Sequence, residues 1–441
     1  MTRPLCFVLM PFGKKQDASG ATVDFDAVYQ KLIAPAIEDA GLEPLRADEE
    51  MTGGIIHKPM FERLILCPYA VADLTTANAN VFYELGVRHA IRPYSTVPVF
   101  ARGMRLPFDV APIRALPYDV SKRGLPLKIE DTSKALSELL RDARQEKTDS
   151  PVFQLVEDLP APQIGHAKTD VFRDKVTYSA TRKQQLAEAR KKGADAVRDV
   201  ERDLGAVVDV EAGVLIDLFL SYRAVKAWKD MIALADRMSP ALQQTVMVQE
   251  QLALALNRDG QGDRAEQVLK SLIERNGPSS ETYGLLGRVY KDRWEAAAKA
   301  DDSIAARSLL RKAIDAYLKG FETDWRDAYP GINAVTLMEI ADPPDARREK
   351  LKPIVRYAVD RKIANGEPDY WDHATLLEIA VLEKDRSGAE EALGDALSCI
   401  REKWEPETTI RNLRLIREAR QKRNEPVEWA EDVERELLKK T

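Results

Sequence analysis

The sequence predicts an α/β N-terminal domain built on a doubly wound parallel sheet, followed by an all-α solenoid of the tetratricopeptide kind. Three observations carry this. Residues 3–120 alternate between short apolar runs and amphipathic stretches, the pattern of strands spaced by helices. From Asp170 onward the strand signal vanishes. In the second half, Leu252-Ala253 and Leu286-Gly287 stand 34 residues apart, the tetratricopeptide period.

Taken in order, Leu5 to Met10 is a continuous apolar run, as expected of a strand covered on both faces, and Pro11-Phe-Gly13 stops it. An amphipathic helix is expected from about Phe25 to Ala40, closed by Gly41. Leu42 to Ala47 reads as a second strand and leads into Asp48. Gly53-Gly54 open a loop before a helix over Ile55 to Leu66. Tyr69 to Leu74 reads as a buried strand, Thr75 to Asn80 as a polar turn, and a helix opens near Asn78. Thr96 to Phe100 and Ile113 to Val120 complete the sheet, and Lys134 to Arg144 is a closing helix.

These readings divide the chain into an α/β domain at 1–147, a linker at 148–168 holding Pro151, Pro160, Pro162 and Gly165, and a helical domain at 169–441. Thr181 to Leu204 is a highly charged helical stretch. Within the repeats Ala253 and Ala265 lie twelve apart, as do Ala380 and Ala392, and Leu256 corresponds to Tyr290. Small residues at such places let two helices approach closely. Ala300 to Arg307 reads as an insertion that delays a second helix. One helical pair cannot bury its apolar face alone, so a stack is expected over about 205–435. The six tryptophans, Trp228, Trp294, Trp325, Trp371, Trp404 and Trp429, fit helix packing, with a groove for a peptide or partner helix as the alternative.

Composition excludes several classes. The chain has 441 residues and a formal charge of −6, with Lys and Arg dispersed, so a nucleic-acid binder is not expected. No run approaches the ~20 apolar residues of a membrane span, and no secretory signal is evident. Three cysteines without paired spacing and four scattered histidines imply neither disulfides nor a metal site. A cytoplasmic protein needing no metal or cofactor is the expectation.

The candidate site gathers on the carboxyl edge of the sheet, where open α/β folds bind ligands. Glu84 is flanked by Val81, Phe82, Leu85 and Val87. It reads either as a surface partner of Arg88 at i,i+4 or as a carboxylate that attacks or stabilises a sugar carbon while a base departs. Asp73 ends a buried strand, either capping the turn or orienting Glu84 or a ribose hydroxyl. Asn78 stands at the helix start, Asn80 shares a helical face with Glu84, and Tyr83 adjoins it. Met10, Pro11, Phe12 and Gly13 form the loop after the first strand, and Arg46 and Asp48 end the second. His89 reads as packing, and His57 has no assigned role.

The segments Phe7-Val-Leu-Met-Pro-Phe-Gly13 and Ala72-Asp-Leu-Thr…Asn78-Ala-Asn-Val-Phe-Tyr-Glu-Leu-Gly86 resemble the nucleoside 2-deoxyribosyltransferase-like superfamily, including the deoxyribohydrolase and TIR-like nucleotide-binding domains. That resemblance implies N-glycosidic bond cleavage with Glu84 as nucleophile and Asp73 as the strand-end aspartate. Its ligand would be a nucleoside, nucleotide or NAD-like molecule. The transferases' Asp-x-Gly-Thr-type segment is replaced here by Asn78-Ala-Asn-Val, which points to hydrolysis or binding rather than transfer. Asp327-Ala-Tyr-Pro-Gly-Ile-Asn-Ala-Val-Thr-Leu337 resembles the TRAF-binding central regulatory region of apoptosis signal-regulating kinases, and no His-Arg-Asp or Asp-Phe-Gly kinase motif accompanies it. The second resemblance implies a signalling scaffold with a protein partner or self-association through the repeats. Its first domain would sense a nucleotide without cutting it.

Overall fold

A computed structural model describes residues 3–16, 22–46, 57–103, 115–145, 147–156, 158–160, 162, 166–207, 210–365, 368–401, 404–425 and 427–440. The chain forms two compact units, Met1–Ser221 and Tyr222–Thr441.

In the first unit β1 (Leu5–Leu9) leads to a small antiparallel hairpin, β2 (Lys14–Gln16) and β3 (Thr22–Asp24). The main sheet adds β4 (Glu43–Arg46), β5 (Tyr69–Asp73), β6 (Thr96–Ala101), β7 (Leu116–Val120) and β8 (Pro126–Leu127), in the order β4-β1-β5-β6-β7-β8. Every pairing from β4 to β7 is parallel, and only β8 runs antiparallel to its neighbour.

All five β1 residues are buried, and their alternation assigns them to two cores. Leu5, Phe7 and Leu9 pack with Leu64, Ala70, Ala72, Val81 and Leu85, from β5, α3 (His57–Leu66) and α4 (Ala79–Ile91). Cys6, Val8 and Met10 pack on the other face with Val28, Leu32, Ile33, Leu136 and Leu140. That face is covered by one helical rod, α1 (Phe25–Val28), a π turn (Tyr29–Ile33) and α2 (Ala34–Asp39), together with α5 (Ile129–Asp142). Each such side chain contributes about 1.5–3 kcal/mol by leaving water, so β1 anchors both layers.

Local chemistry sets the ends of the rod. The Asp24 side chain accepts from the Ala27 amide at 2.9 Å, and Gly41 leaves the helix at φ +73°, a left-handed conformation open to glycine at little cost. The expected fourth and fifth strands form, although residues 104–114 lie outside the described set, as do Gly53, Gly54 and Asp48. The predicted linker begins firmly attached. Asp149 Oδ2 accepts from the Thr96 amide at 2.9 Å, and Ser150 Oγ donates to the His89 carbonyl at 2.7 Å. The unit continues through α6 (Pro151–Leu155), α7 (His166–Lys192), α8 (Ala194–Leu204) and much of α9 (Ala212–Ala224).

The second unit is a helical stack. After α10 (Trp228–Arg237) and α11 (Pro240–Gln243) come five antiparallel pairs: α12 (Val246–Arg258) with α13 (Gly262–Asn276), α14 (Ser280–Lys299) with α15 (Ser303–Thr323), α16 (Ala328–Ile340) with α17 (Arg347–Asn365), α18 (Tyr370–Glu383) with α19 (Arg386–Ser398), and α20 (Trp404–Lys422) with α21 (Ala430–Leu438). The even-numbered members contact one another and make the inner layer. The small residues do what their spacing predicts. A Cβ on Gly287 would stand 2.6 Å from the Tyr317 ring, so only glycine allows α14 and α15 this approach. The extra residues near Ala300 do delay the second helix: α13 opens at Gly262, nine residues after Ala253, whereas α15 opens at Ser303, sixteen after Gly287, and the two helices of that pair reach 20 and 21 residues.

The stack also curls back on itself. Helix α20 lies against both α16 and α18 and reaches α14, where Lys291 Nζ donates to Asn412 Oδ1 at 2.7 Å. Part of the groove that the repeats could have offered is therefore filled by the chain's own helix. Of the tryptophans, Trp294 is buried, whereas Trp325 and Trp404 are half exposed.

Candidate functional site

The carboxyl ends of β1, β4 and β5 lie side by side, because β1 pairs with β4 on one flank and β5 on the other. This point, where the strand order reverses, is the ligand position of open α/β sheets. The sheet brings the Met10–Gly13 loop, Arg46 and Asp73 to it.

Arg46 organises the loop. Its guanidinium donates to the Pro11 carbonyl at 3.0 Å and to Asp26 Oδ1 at 2.8 Å. It lies over the Phe12 ring at 4.2 Å and the Tyr29 ring at 4.9 Å. Asp26 also accepts from the Gly13 amide at 3.2 Å, and Gly13 itself sits at φ +64°. Arg46 thus forms an ion pair with Asp26 in which the stacked guanidinium is shielded from water and the carboxylate is half exposed. Asp26 and Tyr29 carry no readable motif, since only the folded rod brings them to the strand end. Asp48 lies outside the described residues.

Asp73 is completely buried. Its Oδ1 accepts from the Thr75 amide at 3.0 Å and its Oδ2 from the Tyr118 hydroxyl at 2.8 Å. Thr75 Oγ1 in turn meets Tyr118 Oη at 3.0 Å and accepts from the Ala101 amide at 2.8 Å. Burial pushes the Asp73 carboxyl up to about 6 against these hydrogen bonds. The network ties β5 to β6 and β7 and holds the turn that follows. Thr76 and Ala77 in that turn adopt φ +66° and +49°, a left-handed pair that is strained for residues bearing a Cβ. Asn78 then caps α4, its Oδ1 accepting from the amides of Asn80 and Val81 at 3.0 and 3.3 Å. Asn80 and Tyr83 face solvent.

Glu84 is the sixth residue of α4, beyond reach of the favourable helix end. Its expected partner is taken elsewhere. Arg88 is fully buried and donates to the carbonyls of Leu64 and Cys67, each at 2.7 Å, and of Pro68 at 3.0 Å, besides Thr96 Oγ1 and Ser95 Oγ. These carbonyls lie at and just past the end of α3, where carbonyls lack helical partners, and Pro68 also accepts from Ser95 Oγ at 2.5 Å. Arg92 caps the Ile65 carbonyl in the same way at 2.8 Å. The i,i+4 ion pair read from the sequence is therefore corrected: the inward turn of Arg88 leaves Glu84 half-buried without a hydrogen bond or ion pair among the described residues. Burial alone pushes its carboxyl up to about 7. His89 is buried as expected, and burial followed by the Arg88 charge lowers it to about 4. Among the described residues no group of three His, Cys, Asp or Glu side chains could hold a metal ion, and no helix is long and apolar enough to cross a membrane.

A parallel sheet with helices on both faces, joined to a curled stack of helical pairs, defines the class of protein. The MAP3K TRAFs-binding domain family matches residues 81–435, from the turn that bears Glu84 to the last helix, and the chain belongs to that family. The mitogen-activated protein kinase kinase kinase nsy-1 of Caenorhabditis elegans is 32% identical over 222 residues, which are 45% of this chain and only 14% of that protein. Among solved structures, a thermophilic tetratricopeptide protein of Thermus thermophilus aligns with a TM-score of 0.34 at 14% identity, over 46% of this chain and 99% of its own. A tetratricopeptide repeat protein from Parabacteroides merdae aligns with a TM-score of 0.29 at 13% identity, over 55% and 98%.

Proposed function

We propose that this chain is a regulatory scaffold that recruits protein partners, TRAF proteins among them, through its helical unit. The family match across the whole helical stack carries this reading. The half-exposed aromatic side chains of Trp325, Tyr329, Tyr357 and Trp404 supply anchors of the kind that dominate protein interfaces. Mixing the full chain with purified TRAF-domain proteins should give co-elution on size exclusion. Separate elution of each pair at micromolar concentration would sink the reading.

A second reading rests on Glu84. A half-buried carboxylate with no counter-ion, beside a strained turn at the reversal point of the sheet, suits an N-glycosidase acting on a nucleoside, nucleotide or NAD-like molecule. In it the sheet is doubly wound, as the separate apolar clusters on its two faces support. Residues 1–147 bind the ligand, 148–168 link, and 169–441 form the scaffold. Glu84 attacks or stabilises the anomeric carbon, and Asp73 acts through the turn it holds. Met10–Gly13, Arg46, Asn78, Asn80 and Tyr83 contact the ligand, with Asp48 on the same edge.

Glu84→Gln should then abolish base release, by on the order of 10³-fold or more. The same variant has a stability signature independent of any substrate. The folded carboxyl sits above its ordinary value of 4.5, so its ionisation is penalised as pH rises through about 7. Glu84→Gln should therefore stabilise the chain at pH 8 by about 1–3 kcal/mol more than at pH 4. Equal effects at both pH values in urea titrations would show that Glu84 is solvated.

A further inference from the structure

Helix α14 presents Arg288, Lys291, Asp292 and Glu295 on one side, against α12, α16 and α20. The buried pair is settled internally. Lys291 donates to Asn333 and Asn412, and Glu378 accepts from Asn412 at 2.9 Å and from Thr336 at 3.2 Å. Nearer the surface, Asp292 accepts from Asn257 Nδ2 at 2.8 Å and pairs with Arg288 at 3.3 Å and Arg411 at 3.2 Å, while Arg411 also reaches Glu295 at 2.5 Å.

A third guanidinium, Arg258 at the end of α12, adjoins this group. It forms no ion pair or hydrogen bond among the described residues, and it is exposed. Its partial burial and the charges of Arg288 and Arg411 hold it below the usual arginine range, although Asp292 opposes them. Three guanidiniums thus face two carboxylates, leaving one positive charge without a partner. Tyr329, 45% exposed, stands beside them, its ring edge-on to Tyr317 at 6.1 Å. Beneath it the Tyr317 hydroxyl is buried, within the field of Arg288 and against Tyr329, its hydrogen-bonding neighbour. Arg258 is thus the open cation of the group, at a place where an anion from outside can meet it.

We propose that Arg258, Arg288, Arg411 and Tyr329 form a docking site for the carboxylate side chain of an acidic peptide in a partner protein. One carboxylate matches the single unneutralised charge and accepts the forked donors of a guanidinium. A doubly charged phosphate would be repelled by Asp292 and Glu295, and a nucleic acid needs a longer basic track than one open arginine. This rests on the scaffold reading but names no particular partner, so its failure is distinct from failure to bind TRAF proteins.

The test uses the full chain and a short fluorescein-labelled polyglutamate peptide, amidated at its C-terminus, with its polyglutamine twin as control. Fluorescence anisotropy should show the glutamate peptide binding at least tenfold more tightly. Arg258→Gln should weaken it about tenfold, equivalent to ~1.4 kcal/mol, and Arg258→Lys by less. Arg361→Gln, at an exposed arginine on α17, should leave binding unchanged. Arg258 is at the surface, so the variants should melt like the wild type. Equal loss in the Arg258 and Arg361 variants would reduce the effect to general charge and overturn the site. So would absence of wild-type binding, or tighter binding of a phosphoserine peptide.

Discussion

Arg88→Met should destabilise the first unit by about 3–5 kcal/mol, measured by urea unfolding followed through circular dichroism. The Leu64 and Cys67 carbonyls lose their side-chain donor together, Pro68 keeps only Ser95 Oγ, and Thr96 and Ser95 each lose a donor. Buried acceptors left without partners cost their full desolvation penalty, about 1–3 kcal/mol each before relaxation. Methionine keeps much of the volume, so the loss reports the hydrogen bonds and not a cavity. Arg88→Lys should recover only part, because one ammonium cannot reproduce a planar fork spread over five acceptors. Burial holds the Arg88 guanidinium down at about 10, still charged at neutral pH, so its loss removes a cation as well as donors. A cost below 1 kcal/mol would mean that water reaches the end of α3 in place of the side chain.

The second large effect is expected at Glu339 on α16. Only 3% exposed, it accepts from Arg420 Nε at 2.7 Å and Arg423 at 2.6 Å and pairs with Arg348 at 2.8 Å. Arg420 is itself buried and also donates to the carbonyls of Val381 and Leu382, near the end of α18. One carboxylate therefore joins α16, α17, α18 and α20. Glu339→Ala leaves the buried Arg420 without an anion, although Arg348 keeps Glu349 and Arg423 keeps Glu425, and such breakage of a buried pair costs about 3–5 kcal/mol. It should also detach α20 from the inner layer before the rest unfolds, read as faster amide exchange over residues 404–422. The double replacement Glu339→Leu with Arg420→Met should recover much of the loss, since it removes the most buried guanidinium with its anion and leaves Arg348 to Glu349 and Arg423 to Glu425. If the double variant is no more stable than Glu339→Ala, the ion pair is not what holds α20.

Much of this architecture was legible in local pattern. Burial of β1 on both faces follows from an unbroken apolar run, and the cap at Asn78 from a polar residue before a helical period. Close approach of α14 and α15 follows from glycine at a repeat position. These features depend on residues within a few turns of one another. The partner of Arg88 was not legible. Glu84 is the neighbour that helix geometry offers, while the carbonyls that claim Arg88 lie 20 or more residues upstream.

The same holds at the candidate site. Sequence named Arg46 and Asp73 by their places at strand ends and Glu84 by its apolar neighbours on a helix. Asp26 beneath Arg46 and Tyr118 on Asp73 could be named only after the sheet had closed, because nothing in their spacing marks them. By itself the sequence determined the alternation of strands and helices in the first part, the loss of strands after it and the repeat spacing, since these arise from periodicity and short-range sterics. Tertiary structure alone decided which charges are buried, with whom they pair, and that α20 returns against α14. Those outcomes depend on which polar groups the packed core leaves unsatisfied, and no local window contains that information.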